Sequence, residues 1–377
     1  MISCFLSKHR KDTDMKEEKS LTCYFHIVNS VKGGSGKSTF ALLLANHFLS
    51  ENKFAYIIDL DVCGTSWETD FKKFFTKEND FCYVNDLMYQ YCTNGFKHNI
   101  WSKLKVTDTD ANENTTSDNQ IKICLAANPR HNKSFNKSEA ELLENATYQI
   151  ILSSINEVLS TQPTKDIAIH IILDLPPNHE QTVEQICQHL LFDQSSRLKQ
   201  YFLQKNKSID PLADKDTDKS EVKFKYKYKV QFYMMTPADQ VSALKKNADY
   251  IRDLLFEKRK YSSNILAFDA NDELQFKICF VLNDNHYWSS LQAKDSISPQ
   301  TLIDNAKSII KLPDIFHPKK NDEKITYFTV NTLQYQPFEF KKNMYMGTYK
   351  NITPPTSLNL HGASPSEIKD IIKDIIT

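Results

Sequence analysis

Glycine is scarce in this chain, with seven in 377 residues, where an ordinary soluble protein carries roughly 7%. Three of the seven stand together at Gly33, Gly34 and Gly36. Net charge is lacking too. Lys+Arg and Asp+Glu both number 47, which excludes a whole-chain field that would recruit nucleic acid or anionic lipid; such a partner has to be met by a local patch. The eight cysteines contain no C-x-x-C pair, which argues against a disulfide framework and a structural zinc site. They read as reduced, mostly buried thiols of a cytoplasmic protein. No apolar run reaches the ~18 residues of a membrane span, and no internal repeat is found. Residues 1–20 carry charges too early for a secretory signal and read as a polar tail.

What is present is a core and a rhythm. With 40% apolar and 11% aromatic residues, the chain can bury a sizeable interior. Residues 21–31 are rich in aromatic and β-branched types and run into KGGSGKST, followed by TFALLLANHFL, apolar on nearly every side as a buried helix is. FAYIIDLD (54–61) then reads as a buried strand ending in two acids, which completes a βαβ unit. Further apolar strands are expected at 121–126, 167–175, 230–236 and 276–282, with helices at 138–159 and 238–258. The alternation predicts an α/β fold with a doubly wound, mostly parallel sheet covered by helices on both faces. Polar stretches near 107–120 and 204–222 read as exposed insertions. The expected division is therefore a tail at 1–20, one α/β domain at 21–315, and a C-terminal extension at 316–377.

The glycine cluster belongs to a phosphate-binding pattern. In G-x-x-x-x-G-K-[ST], successive backbone N–H groups wrap phosphates, the lysine reaches the β and γ phosphates, and the hydroxyl ligates Mg²⁺. Gly36, Lys37 and Ser38 match its end, but Val31 stands where the first glycine belongs and a second lysine, Lys32, lies inside the loop.

That string, K-G-G-x-G-K-[ST], is the deviant Walker A motif, and in it the chain resembles the ParA/MinD group of P-loop ATPases. The resemblance implies ATP and Mg²⁺ as cofactors, with Gly33, Gly34, Ser35, Gly36, Lys37, Ser38 and Thr39 around the phosphates. It implies that Lys37 acts within its own subunit, while Lys32 reaches nucleotide held by the other subunit of a dimer. IIDLDVCGTS is similar to the family's second strand and first switch: Asp61 would hold the attacking water and Asp59 would lie on the Mg²⁺ side. A strand-end Asp can also simply cap a loop. IHIILDLPP resembles the Walker B strand, in which Asp174 would orient Mg²⁺ at the carboxyl edge of the sheet and Pro176 and Pro177 would stiffen the second switch. CFVLND is similar to the strand whose terminal Asn contacts adenine, here Asn283; T-K-x-D is absent there, which favours ATP over GTP.

Two surfaces have alternative readings. In VKFKYKYKVQFY, Lys223, Lys225, Lys227 and Lys229 share one face of an extended segment. This reads either as an edge strand kept soluble by lysine or as a contact for phosphate backbone. At the C-terminus, Ser364 and Glu367 form a capping box, Pro365 occupies the first helical position, and Ile368, Ile371, Ile372 and Ile375 make an apolar stripe. Lys369 and Lys373 are balanced by Asp370 and Asp374 without an aromatic anchor, which favours packing on the domain or a partner over a membrane surface.

Together these features lead to the expectation of a ParA-like ATPase. It would dimerise with ATP, bind non-specific DNA or a cargo or activating protein, and reset by slow hydrolysis. The alternatives are a nucleotide-binding regulatory scaffold with little turnover and a MinD-like membrane-positioning ATPase.

Overall fold

The structure is a computed structural model that describes residues 19–61, 83–91, 100–107, 120–125, 137–161, 166–177, 185–192, 196–207, 224–237, 240–252, 276–284, 299–310, 327–334, 358–359, 370, 372, 373 and 376. Nine strands form one sheet: β1 (Lys19–Asn29), β2 (Phe54–Asp59), β3 (Ser102–Thr107), β4 (Gln120–Cys124), β5 (Ile167–Asp174), β6 (Phe224–Pro237), β7 (Phe276–Asp284), β8 (Tyr327–Gln334) and β9 (Leu358–Asn359). Their order is β8-β7-β6-β1-β5-β2-β4-β3-β9. All these pairings are parallel except β3 with β4. The doubly wound, mostly parallel sheet read from the strand–helix alternation is therefore the architecture observed. β1 lies inside the sheet between β6 and β5, where the winding reverses and where such folds place their ligands.

The helices are α1 (Lys37–Ser50), α2 (Val84–Tyr91), α3 (Lys137–Thr161), α4 (Arg197–Lys207), α5 (Val241–Arg252) and α6 (Pro299–Ile309), with a π-helical segment at Gln185–Phe192. They divide between the two faces of the sheet. On one face, Phe40, Leu44 and Phe48 of α1 pack on Ile57, Ile172, Tyr233 and Val281. On the other, Leu143 and Ile150 of α3, Phe202 of α4, Leu244 of α5 and Ala306 of α6 share a core with Phe25, Ile58, Ile171 and Phe232. Side chains alternate across a strand, so Ile27 joins the second core and its neighbour Val28 the first. Full burial of each large side chain contributes about 1.5–3 kcal/mol, and this two-sided packing explains why the central strands read as unbroken apolar runs.

Polar groups in the first core make a chain of their own. His26 Nδ1 lies 3.1 Å from the Tyr233 hydroxyl, and His26 Nε2 lies 3.0 Å from His170 Nδ1. Phe48 of α1 stacks on His170 at 3.7 Å between ring centres.

Two features lay outside the expectations, and a third agrees with the expected packing of the C-terminal stripe on the domain. β3 (Ser102–Thr107) was not read from the sequence; it pairs antiparallel with β4. β8 (Tyr327–Gln334) falls inside the stretch read as a C-terminal extension, yet it is paired with β7, so the sheet runs past residue 315. Ile372 is fully buried in the α1-side core, Ile376 packs against the same core, and Gln231 Nε2 donates to the Ile376 carbonyl at 3.3 Å. Ile368, Ile371 and Ile375, the residues of the capping box, and residues 108–119 and 208–222 of the two expected insertions lie outside the described residues.

The lysine-rich strand needs a correction. β6 is not an edge strand: it lies between β1 and β7. Its pairing with β7 begins at Val230, whereas its pairing with β1 begins at Phe224. The segment 224–229 thus overhangs the described part of β7, and there the α4 side chain Asn206 takes over the role of a strand. Asn206 Oδ1 accepts the Tyr226 N–H at 2.8 Å and Asn206 Nδ2 donates to the Tyr226 carbonyl at 3.0 Å. Alternating lysines suit this overhang as well as they suit an edge, which is why the pattern misled.

Candidate functional site

The site is built where β1 ends. Its last residue, Asn29, accepts the Ser30 N–H on its side-chain oxygen at 2.7 Å, and Ser30 Oγ in turn accepts the Lys32 N–H at 3.1 Å. Gly34 and Gly36 then adopt positive φ, at 72° and 88°, a left-handed conformation that costs a side-chain-bearing residue about 1–2 kcal/mol. Gly36 is the N-cap of α1 and Phe40 N–H returns to its carbonyl at 2.9 Å. No side chain caps this helix and no acid lies in its first turn, so its leading N–H groups are left for an anionic ligand, the arrangement that receives anions. A Cβ added at Gly33 or Gly34 meets nothing within 4 Å, so the ground above the loop is open. Lys32, Gly33 and Gly34 are exposed, whereas Ser35, Lys37 and Thr39 are buried and Ser38 is half-buried.

Acids come to the same edge by strand register. Val28 of β1 stands opposite Asp174 of β5, and Asp174 stands opposite Asp59 of β2. Both carboxylates are buried. Leu175 N–H donates to Val28 O at 3.0 Å and Leu60 N–H to Asp174 O at 2.9 Å, which continues the ladder past the strand ends and fixes the relative heights of the two acids. Asp59 Oδ1 accepts the Asp61 N–H at 3.1 Å, the turn expected of a strand-end Asp that caps a loop. Pro176, buried, and Pro177, half-buried, follow Asp174 directly.

The donor set fits Mg²⁺ and phosphate. Mg²⁺ takes hard oxygen ligands and is held through one or two carboxylates together with substrate phosphates; two buried carboxylates on adjacent strands supply them, with the Ser38 hydroxyl at the first turn of α1. The left-handed glycines and the uncapped helix start supply the phosphate side. A glycine loop leads from β1 into α1, and the strand beside β1 ends in a buried acid. The fold is that of a P-loop NTPase.

Solved structures to which the chain is similar come from the group that the loop motif resembles. McdA from Cyanothece, in complex with ATP, shares 10% identity over 95% of this chain and 96% of that one, with a TM-score of 0.44. A plasmid partition protein from Borrelia burgdorferi bound to AMPPNP shares 13% over 95% and 99%, at 0.37. MinD from Pyrococcus horikoshii with Mg-ADP shares 14% over 78% and 79%, at 0.36. No protein-family profile matches the chain, and no curated protein matches it. Residue assignments therefore rest on this chain's own loop, register and burial.

Residues that the sequence reading did not single out complete the site. Asn247 of α5 is fully buried; its Oδ1 accepts the Val31 N–H at 3.0 Å, and its Nδ2 lies 3.0 Å from the Met235 carbonyl and 2.5 Å from Thr236 Oγ1. Gln240, at the start of α5, accepts a hydrogen bond from the Lys32 ammonium. The available signal for Asn247 was an amide inside the apolar stripe of Ala243, Leu244 and Ala248. Asn283 is placed by its backbone, opposite Pro237 on β6. Gly64 and residues 126–129 lie outside the described residues.

Proposed function

We propose that the chain is an ATP-dependent dimerising switch of the ParA type, with ATP and Mg²⁺ as cofactors. The observation that carries this reading is the left-handed glycine loop opening onto an uncapped α1 beside the register-matched acids Asp59 and Asp174. In this reading the N–H groups of residues 33–39 hold the phosphates, and Lys37 neutralises the β and γ phosphates within its own protomer. Asp59, Asp174 and Ser38 hold Mg²⁺, whose chemistry is to draw negative charge from the transferring phosphoryl group. Asp61, tied by its N–H to Asp59, holds the attacking water in line. As the water oxygen would bond to phosphorus, the bond to the bridging oxygen would break with its electron pair leaving on ADP, and the water's proton would pass to the released phosphate. Asn283 contacts the base.

Lys32 reaches nucleotide held by a second copy, which makes dimerisation conditional on ATP. A ligand shifts such an equilibrium only by its difference in affinity for the two states, and the γ-phosphate is the group present in one and absent in the other. DNA, bound without sequence preference, and a cargo or activating protein are the proposed partners of the dimer. Lys225, Lys227 and Lys229, which share one face of β6, are the candidate backbone contacts. The membrane-positioning alternative is disfavoured by Ile372, which is buried in the core instead of facing outward.

The test measures ATP binding and ATP-dependent dimerisation side by side. Lys37→Ala is expected to abolish binding, while Lys32→Ala binds ATP and stays monomeric in light scattering. A Lys32 variant that dimerises like the parent chain rejects the trans role. ATP-dependent DNA binding that weakens across a salt series supports the partner reading, and absence of DNA binding at low salt moves the assignment to the regulatory scaffold.

A further inference from the structure

The ammonium of Lys32 is not left in solvent. It hydrogen-bonds the side-chain carbonyl of Gln240, and both residues belong to one protomer. The backbone on each side of this contact is fixed. Val31 N–H is held by buried Asn247 and Lys32 N–H by Ser30 Oγ. Gln240 N–H donates to Pro237 O at 3.1 Å, while its carbonyl accepts from Ala243 and Leu244 at 3.0 and 3.2 Å. Gln240 and Asn247 are seven residues apart, two helical turns, and so lie on one side of α5. Asn247 holds the main chain of the loop from that side and Gln240 holds its side chain.

We propose that Gln240 is a positioning residue for Lys32, which parks the ammonium within its own protomer until phosphate oxygens of a second copy compete for it. The inference rests on the trans role given to Lys32 above. The chemistry of the contact suits a hold that has to be released. Its acceptor is a neutral amide, weaker than a carboxylate. The ammonium sits at the N-terminal end of a helix, where the dipole favours negative charge. Lys32 is also exposed, so an anionic acceptor takes its proton-donor bonds at little cost. A net hydrogen bond of this kind biases an equilibrium by roughly two- to tenfold.

Two readouts on the full-length chain test it. In nucleotide-free protein, limited reductive methylation followed by peptide mass spectrometry reads the accessibility of Lys32, with exposed Lys246 of α5 as the internal reference. Gln240→Ala is expected to raise Lys32 labelling about two- to tenfold, and Gln240→Glu, which turns the contact into an ion pair, to lower it. Both variants should leave Lys246 unchanged. The ATP concentration for half-maximal dimerisation should move in the matching sense, lower for Gln240→Ala and higher for Gln240→Glu, while the ATP affinity of the diluted monomer stays the same in both variants. Equal Lys32 labelling in all three proteins overturns the contact. Labelling in the expected order with unchanged dimerisation, or with an equal change in the ATP affinity of the monomer, overturns the parking role. Because labelling is read without nucleotide, its outcome is separate from failure of the dimer switch itself, which appears as a Lys32→Ala chain that dimerises normally.

Discussion

Asn247 on α5 accepts the N–H of Val31, the residue that occupies the place of the first glycine in an ordinary P-loop, and the same side chain donates to the end of β6. One buried amide thus joins the start of the glycine loop to the end of β6. The loop has lost a glycine at Val31 and has gained an external hydrogen-bond partner there.

Asn247→Ala removes three hydrogen bonds from a buried setting, where each polar group left without a partner costs about 1–3 kcal/mol. The urea midpoint should fall by the equivalent of about 3 kcal/mol with the slope unchanged, and ATP affinity should fall with it. Asn247→Asp keeps the acceptor for Val31 and loses the donors, so it should retain more ATP affinity than Asn247→Ala at similar stability. Equal affinity in the two variants would refute the role of the Val31 bond.

Asp61→Ala should bind ATP and dimerise while hydrolysis falls by about 10²- to 10⁴-fold, the usual contribution of a positioned proton-handling group. Asp174→Asn should instead raise the Mg²⁺ concentration needed for activity, since an amide is a poorer ligand for a hard cation. Phosphate release measured across a Mg²⁺ titration separates the two, and an Asp61 variant rescued by added Mg²⁺ would exchange the roles given to these acids.

The histidine chain predicts acid sensitivity. Burial, with lesser contributions from Lys53 and His47, holds His26 down from its ordinary 6.5 to about 3; burial, then His26, Lys53 and His47, holds His170 lower as well. Both folded-state values lie below the unfolded one, so the unfolded chain takes up protons first as pH falls. The contribution to stability is complete above about pH 6.5 and is lost progressively from there towards pH 3. Between pH 7.5 and 5.5 stability should fall by on the order of 1 kcal/mol per group, and His170→Phe should lessen the combined change. Urea midpoints that do not move over this range would show that the rings are hydrated.

Ile372 is fully buried in the core that α1 shares with the sheet, and Ile372→Ala should cost about 2–4 kcal/mol. A loss under about 0.5 kcal/mol in thermal unfolding would mean that the C-terminal residues do not dock. Asp370 and Lys373 are exposed, and alanine at either should change stability by less than about 0.5 kcal/mol.

Much of the site was legible because its chemistry is local. Positive φ at Gly34 and Gly36, the lysine after the last glycine and the helix start are consequences of eight consecutive residues. Apolar runs announced β2, β5 and β7 because a strand covered on both faces has no polar alternation to hide it. β3 was missed because Ser102–Thr107 alternates lysine with apolar residues over a short span, a pattern shared with loops. β8 lay beyond the last motif, and nothing in its own residues names β7 as its neighbour.

The sequence by itself determined the kind of loop, with Val31 and Lys32 in place of the usual pattern, and it determined that strands and helices alternate around it. Tertiary structure decided which residues meet that loop. Asp59 and Asp174 come level through strands that are adjacent in the sheet but over a hundred residues apart in the chain. Lys32 finds Gln240, and Val31 finds Asn247, only because α5 returns beside β1 after β6 has paired with it. The lysines of β6 lie in a strand that β1 flanks from Phe224 onward and that the described part of β7 flanks only from Val230. Local rules fix backbone conformation within a few residues; partners across a sheet are set by register and packing, which no single segment encodes.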